Sequence, residues 1–281
     1  MPRRWLSPAG CEKNAVWQGW ARLPRGGGAD RHGSIPTATP QLPELPCRTV
    51  CGRITLTRSA GEIAEQFELE PGCELAPLEP RYNLAPSQDL ATIRQDGEGR
   101  RVLSMERWGL VPHWAKDPAV GNRLINARAE SVATKPAFRD SLRRRRCLVP
   151  ADGFYEWSGR GAERRPYLFR RPDRALLGIA GLYARWIGEG GEVIDSCTLV
   201  TTEANASLAP FHHRMPVILA PGDYAGWLDR TQEDPEVLTS LLTPCPPEWL
   251  DACPVSTRIN SPRNDDPACL IPEPQTGDLF G

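Results

Sequence analysis

The chain has 281 residues, 40% hydrophobic and 25% charged, with a net charge of −1 at pH 7. That composition is ordinary for a soluble globular protein and excludes collagen-like, coiled-coil and wholly disordered readings. No stretch approaches the ~18 apolar residues of a spanning helix, and Met1 to Arg25 lacks the basic, apolar and small-residue succession of a signal peptide, so a cytoplasmic protein is expected.

The near-zero charge is a sum over unlike parts. Residues 1–49 carry seven Lys/Arg against three Asp/Glu, residues 231–281 carry Arg258 and Arg263 against nine acids, and residues 50–230 hold 25 against 23. Charge alone establishes neither a basic groove nor an acidic tail. Nine cysteines without a secretory signal are expected to be free thiols. There is no CxxC, and Cys245 and Cys253 lack His or Cys partners at zinc-finger spacing, which argues against a structural zinc. The 34 basic residues comprise Lys13, Lys116, Lys135 and 31 Arg, beside 29 Pro and 25 Gly. This skew is the signature of a GC-rich genome.

Along the chain, residues 1–49 hold seven Pro, six Gly and no apolar periodicity, and read as a disordered extension. The texture changes at Cys51, where Cys51 to Thr57 alternates like a strand and Ser59-Ala-Gly-Glu62 is a capping box opening a short helix through Phe67. Strands are expected at 90–94, 101–107, 146–150, 153–157, 166–170, 176–186, 193–201 and 215–220, with hairpin turns at Asp96-Gly97 and Gly188–Gly191. Helical patterns occupy 128–144, 222–229 and 235–242. Without regular strand–helix alternation, these elements predict a single α+β domain over residues 50–275, its β core mostly antiparallel and curved, barrel-like, with flanking helices and a tail at 276–281.

Six segments mix apolar residues with polar ones that a plain core would not choose. They are Cys51-Gly-Arg53, Arg81-Tyr-Asn-Leu-Ala-Pro86, Arg107-Trp-Gly-Leu-Val-Pro-His-Trp114, Ile125-Asn-Ala-Arg-Ala-Glu130, Ala151-Asp-Gly-Phe-Tyr-Glu-Trp157 and Phe211-His-His-Arg-Met-Pro216. Each is weak singly. In this order and spacing they closely resemble the SOS response-associated peptidase (SRAP) family, which recognises abasic sites in single-stranded DNA. The resemblance extends to Pro254-Val-Ser-Thr and Asn260-Ser-Pro-Arg-Asn-Asp-Asp-Pro267.

The resemblance implies that Cys51, the cysteine of the Cys-Gly-Arg motif, is the nucleophile and acts as the mature N-terminal residue. An α-amino group with a pKa of about 7.7–8.0 is partly free base near neutrality, whereas a Lys at about 10.4 is nearly all protonated. The neutral amine can attack the C1′ aldehyde of an opened abasic sugar to give a Schiff base, and the thiol of the same residue can close a thiazolidine. An internal cysteine cannot, because its nitrogen is an amide. Here 50 residues precede Cys51. The simplest account is that Val50 is a GTG start codon read as Met, with residues 1–49 added by an upstream start assignment. The alternatives are a propeptide cleaved autocatalytically after Val50, and an inactive homologue.

The resemblance further assigns Glu156 as the catalytic carboxylate that shuttles protons, its pKa raised among aromatics. It assigns His212 as the acid that helps open the sugar, and leaves His213 to surface or packing. Asn126 is implied to hydrogen-bond the reacting sugar and Arg128 an adjacent phosphate, the two facing one side of an extended segment. Arg53, Asn83 and Thr201 line the same site. Of Trp108, Pro112 and Trp114, at least one is expected to stack on DNA or wedge into it. Arg143–Arg146 is either a solvated helix end or a contact to DNA backbone.

The expected function is an abasic-site processing protein that crosslinks covalently to single-stranded DNA and removes its own N-terminal residue. It would have lyase-like Schiff-base chemistry, no metal or organic cofactor, a monomeric state, no membrane partner, and nucleoid association during DNA damage. Two other classes stand beside it: a non-covalent single-stranded-DNA binding module, and a thiol peptidase acting in trans through Cys51, His212 and Glu156.

Overall fold

The computed structural model describes residues 52–70, 78–159 and 164–272. Cys51, the extension over 1–49 and the tail at 276–281 therefore lie outside the described residues. In chain order the elements are β1 (Ile54–Leu56), α1 (Ala60–Gln66), β2 (Arg81–Leu84), β3 (Asp89–Gln95), β4 (Arg101–Trp108), β5 (Asn126–Arg128), α2 (Arg139–Arg144), β6 (Arg146–Ala151), β7 (Gly153–Ser158), β8 (Arg165–Arg170), β9 (Leu177–Ile187), β10 (Val193–Glu203), β11 (Arg214–Pro216), α3 (Tyr224–Leu228), α4 (Pro235–Ser240) and β12 (Asp251–Pro254). No helix among the described residues is long and apolar enough to cross a membrane.

The chain is α+β, with few helices around a β-barrel closed by five strands. The barrel order is β10, β4, β3, β6 and β9, and the β9–β10 hairpin closes the ring from Val193↔Ile187 to Leu199↔Gly181. Closure removes the open edges that an isolated sheet would present. β4 runs parallel to β10 through Cys197↔Trp108, and where β4 ends β5 takes over the same edge, with Leu199↔Asn126 and Thr201↔Arg128. The loop between them is pinned by two glycines in close approach. A Cβ on Gly109, which has φ 133°, would lie 2.6 Å from the Gly121 carbonyl, and one on Gly121 equally near that of Gly109.

A second, antiparallel sheet has the order β12, β8, β7, β1, β2. The chain enters it from β6 across the single residue Asp152, whose carboxylate accepts from the Thr57 N–H (2.5 Å) and hydroxyl (2.8 Å) and so fixes the corner. Side chains alternate across a strand, so this sheet has two distinct faces. Ile54, Phe154 and Phe169 join the main core against the barrel, while Tyr155 and Leu168 join a smaller core with Val255, Ile259 and Cys269, built by the segment after β12.

The capping box is present as expected: the Ser59 hydroxyl accepts from the Glu62 N–H, and the Glu62 side chain accepts from that of Ser59. The helical expectation over 128–144 reduces to a short 3-10 turn at Ala129–Ser131 and α2. Pro136 lacks an amide donor and pushes the residue before it out of the helical region, so one continuous helix cannot form. The strand expected over 215–220 is β11 alone, with a single further bridge at Ile179↔Ile218. The described cysteines, Cys147, Cys197, Cys245, Cys253 and Cys269, are free and buried.

Candidate active site

The barrel-facing side of the second sheet carries the first component. In β7, Tyr155 and Trp157 point to the smaller core, so Glu156 shares the opposite face with Phe154. Glu156 is 5% exposed and lies opposite Tyr167 of β8, beside the stacked pair Phe154–Phe169. The aromatic surroundings remove this carboxyl from bulk water, the desolvated setting that acid–base work needs.

The His212 segment docks on that same face. Phe211 packs edge-on against Tyr167 at 4.9 Å and Phe169 at 5.0 Å, which delivers the next residue, His212, to the Glu156 side of the sheet. His212 Nδ1 accepts from the Arg214 main-chain N–H at 3.0 Å. In a neutral imidazole the nitrogen that accepts carries no proton, so the ring holds its proton on Nε2. His213 is exposed and stacks on His212 with ring centroids 4.4 Å apart.

β5 supplies a second wall. Asn126 is half-buried, Ala127 buried and Arg128 exposed, an extended segment in which Asn126 and Arg128 share a side. Thr201 pairs with Arg128 but is 2% exposed, and its hydroxyl is engaged with the Ala127 carbonyl at 3.4 Å. Arg214, which sequence reasoning did not single out, is 9% exposed and grips Glu130 with two bonds of 2.5 and 3.0 Å. Its signal lay in the Phe211–Pro216 motif: a charged residue ahead of Met215 and Pro216, where a plain strand would place an apolar one.

Several expected contributors lie elsewhere. Arg53 and Asn83 face the smaller core, away from Glu156. The Arg53 guanidinium donates to Asn83 Oδ1 (2.6 Å) and the Ile259 carbonyl (2.7 Å), and burial pushes its pKa down. Asn83 is fully buried, its amide donating to the carbonyls of Ser261 (2.9 Å) and Asn264 (2.7 Å). Both residues anchor the segment over 257–265, whose Asp265 in turn accepts from the Tyr82 and Asn83 N–H groups and from Arg81. Trp108 is fully buried with its indole N–H on the Ile125 carbonyl (2.9 Å), and Pro112 is also buried. Neither presents a face to a base, because β4 turns Trp108 into the barrel. Trp114 is the exposed member of the trio, at 53%, in a surface depression with Lys116, Val120 and Arg123.

The arginine run divides as well. Arg143 and Arg144 are exposed, Arg144 pairing with Glu233 at 3.0 Å, whereas Arg146 is 3% exposed. Arg146 donates to the carbonyls of Leu142, Arg143, Trp227 and Asp229, and burial lowers its pKa to about 10. Among the described residues no group of three or more His, Cys, Asp and Glu is arranged to hold a metal ion.

A family model described as SOS response associated peptidase (SRAP) matches residues 50–262. The chain belongs to the SRAP family. Its SRAP relatives include the abasic site processing protein YoaM of Bacillus subtilis, 40% identical over 225 residues that make up 80% of this chain and 99% of that protein. YoqW of the same organism, also named an abasic site processing protein, is 41% identical over 79% of this chain and 99% of its own length. The abasic site processing protein HMCES of Gallus gallus is 35% identical over 69% of this chain and 66% of its length. Crystal structures of a Bacteroides thetaiotaomicron protein (TM-score 0.71, 26% identity, 79% of this chain and 100% of that one) and a Bordetella bronchiseptica protein (0.62, 28%, 73% and 100%) are similar to this SRAP chain.

Proposed function

We propose that this SRAP protein processes abasic sites in single-stranded DNA by forming a covalent thiazolidine crosslink through Cys51, once that residue is N-terminal. The observation that carries the reading is the matched span: it begins at residue 50, one residue before Cys51, and runs through Asn126, Glu156 and His212. Relatives named for abasic site processing cover nearly all of their own length with it. The leader over 1–49 is then an upstream start assignment or a propeptide, and the domain is residues 50–275.

His212 presents Nε2–H and can give that proton to the deoxyribose ring oxygen as the bond from C1′ to that oxygen breaks; the C1′ hydroxyl gives its own proton to the Glu156 carboxylate as the aldehyde forms, and Glu156 returns it to the imidazole, so that both groups end as they began. The free amine of Cys51 adds to the aldehyde carbon. The desolvated Glu156 carries protons so that the carbinolamine oxygen leaves as water and an imine remains. The Cys51 thiolate then adds to the imine carbon, and the nitrogen takes a proton as the five-membered ring closes. Glu156 also serves as the base that activates water for hydrolysis of the 50–51 peptide bond, and a Schiff base left unclosed permits lyase-like strand scission. Asn126 holds the sugar, Arg128 a phosphate and Trp114 a base face, while Thr201, Asn83 and Arg53 hold the walls in place. No step draws on a cofactor, and the protein acts as a cytoplasmic monomer that joins the nucleoid when DNA is damaged.

Three preparations on a denaturing gel with abasic single-stranded DNA test the reading: residues 51–281 behind an initiator Met, the full chain, and the shorter form with Cys51→Ala. A covalent band from the shorter wild type, lost with Cys51→Ala, is the expected result. If the full chain also gives a band, intact mass should show cleavage after Val50. No band from any form would refute the crosslink and favour the non-covalent binding module, a reading supported by the internal position of Cys51 in the full chain.

A further inference from the structure

Arg214 engages different partners at its two ends. Its main-chain N–H donates to His212 Nδ1 at 3.0 Å. Its guanidinium donates to both Glu130 oxygens (2.5 and 3.0 Å) and to the Thr201 carbonyl (2.6 Å). Glu130 lies in the short turn directly after β5. One side chain therefore ties the His212 segment to β10 and to the strand carrying Asn126 and Arg128.

The segment needs such a tie. β11 has three residues, and between β10 and β11 the chain makes a ten-residue excursion over 204–213. Its interior is held by Asn205, whose side chain accepts from the Leu208 N–H (3.1 Å) and donates to the Cys245 carbonyl (3.0 Å). The end that carries His212 depends on where residue 214 sits, and a bidentate guanidinium–carboxylate pair fixes both distance and orientation. Burial pushes the Glu130 carboxyl up, but the hydrogen bonds and charge of Arg214 outweigh it and hold it below the ordinary carboxylate range.

Resting on the reading that His212 delivers a proton to the sugar, we propose that Arg214 and Glu130 are the positioning pair for that step. They set the Nε2–H tautomer of His212 and aim it at the strand that holds the substrate. Neither touches the reacting atoms. Glu130 is the more useful residue to change, because its side chain is 55% exposed and Glu130→Gln keeps its shape, so the fold should tolerate the loss of charge.

The first test is spectroscopic and independent of crosslinking. With [15N]histidine in the full chain, four histidines are visible, and His212 is assigned by its loss in His212→Gln. The ring nitrogens of His212 should report Nε2–H in the wild type and a tautomer mixture in Glu130→Gln. Unchanged ring shifts in Glu130→Gln, or an Nδ1–H ring in the wild type, would overturn the proposal. The second test is the single-turnover rate of crosslinking at saturating abasic single-stranded DNA, in the form that crosslinks. Glu130→Gln should lower that rate about tenfold, leave the half-saturating DNA concentration within about twofold, and cost nothing further in a His212→Gln background. An equal loss in that background, or a change confined to half-saturation, would show that the pair acts elsewhere. If the wild type forms no covalent product, the crosslinking reading fails by itself and the tautomer result still decides the role of this pair.

Discussion

Glu106 places a carboxyl inside the barrel, and this should make the stability of the protein fall as pH rises. The residue is 1% exposed on β4; one oxygen accepts from the Thr92 hydroxyl at 2.6 Å, and the other lies 3.7 Å from Arg94 with no hydrogen-bond donor. Removal from water raises its pKa from 4.5 to about 7, with the Thr92 bond and the Arg94 charge offsetting part of the effect and Asp195 adding to it. A carboxyl with a raised folded pKa contributes stability that is fully present below about 4.5 and lost as pH climbs through about 7. A shift of this size corresponds to about 3 kcal/mol over the whole window, most of which falls between pH 5 and pH 8. Glu106→Gln keeps the shape and the Thr92 bond but cannot ionise. Urea unfolding of wild type and Glu106→Gln at both pH values isolates the term, because every other titrating group cancels in the difference. The wild type should lose about 2–3 kcal/mol more than Glu106→Gln on going from pH 5 to pH 8. Parallel pH profiles for the two proteins would refute the reasoning and mean that water or Arg94 stabilises the ionised form inside the barrel.

The two tryptophans of the Arg107–Trp114 motif should separate cleanly. Trp114→Ala should weaken binding of single-stranded DNA by about 1–3 kcal/mol, measured by fluorescence anisotropy, with an unchanged Tm. Trp108→Ala should instead cost about 3–5 kcal/mol of stability in urea. Arg128→Ala should reduce the slope of log K against log salt by about 0.7, as expected for one lost phosphate contact on a single strand; an unchanged slope would remove Arg128 from the DNA path. Asn83→Ala frees the carbonyls of Ser261 and Asn264 and leaves Arg53 short of an acceptor, so equilibrium unfolding should show a loss of about 2–3 kcal/mol. If its effect were on DNA affinity alone, the anchoring role of Asn83 would be wrong.

Local order was legible from the sequence wherever one short-range interaction decides it. The Ser59–Glu62 capping box, the turns at Asp96-Gly97 and Gly188–Gly191 and the long alternating strands β3, β4, β9 and β10 all appear where the residue pattern places them. β2, β5 and β12 were not, since three or four mixed residues carry no readable period and exist as strands only because a neighbour supplies the ladder. The six motifs named the residues of the candidate site as a set, and with them the SRAP family. Which motif residues share a space was decided by the tertiary structure alone. Alternation puts Glu156 and Arg53 on opposite faces of one sheet, closure of the barrel buries Trp108, and the docking of Phe211 brings His212 to the Glu156 side. A motif specifies residue identity at a position, whereas the side to which that residue points depends on register and on which face meets the core, and both are set by partners far away in the chain.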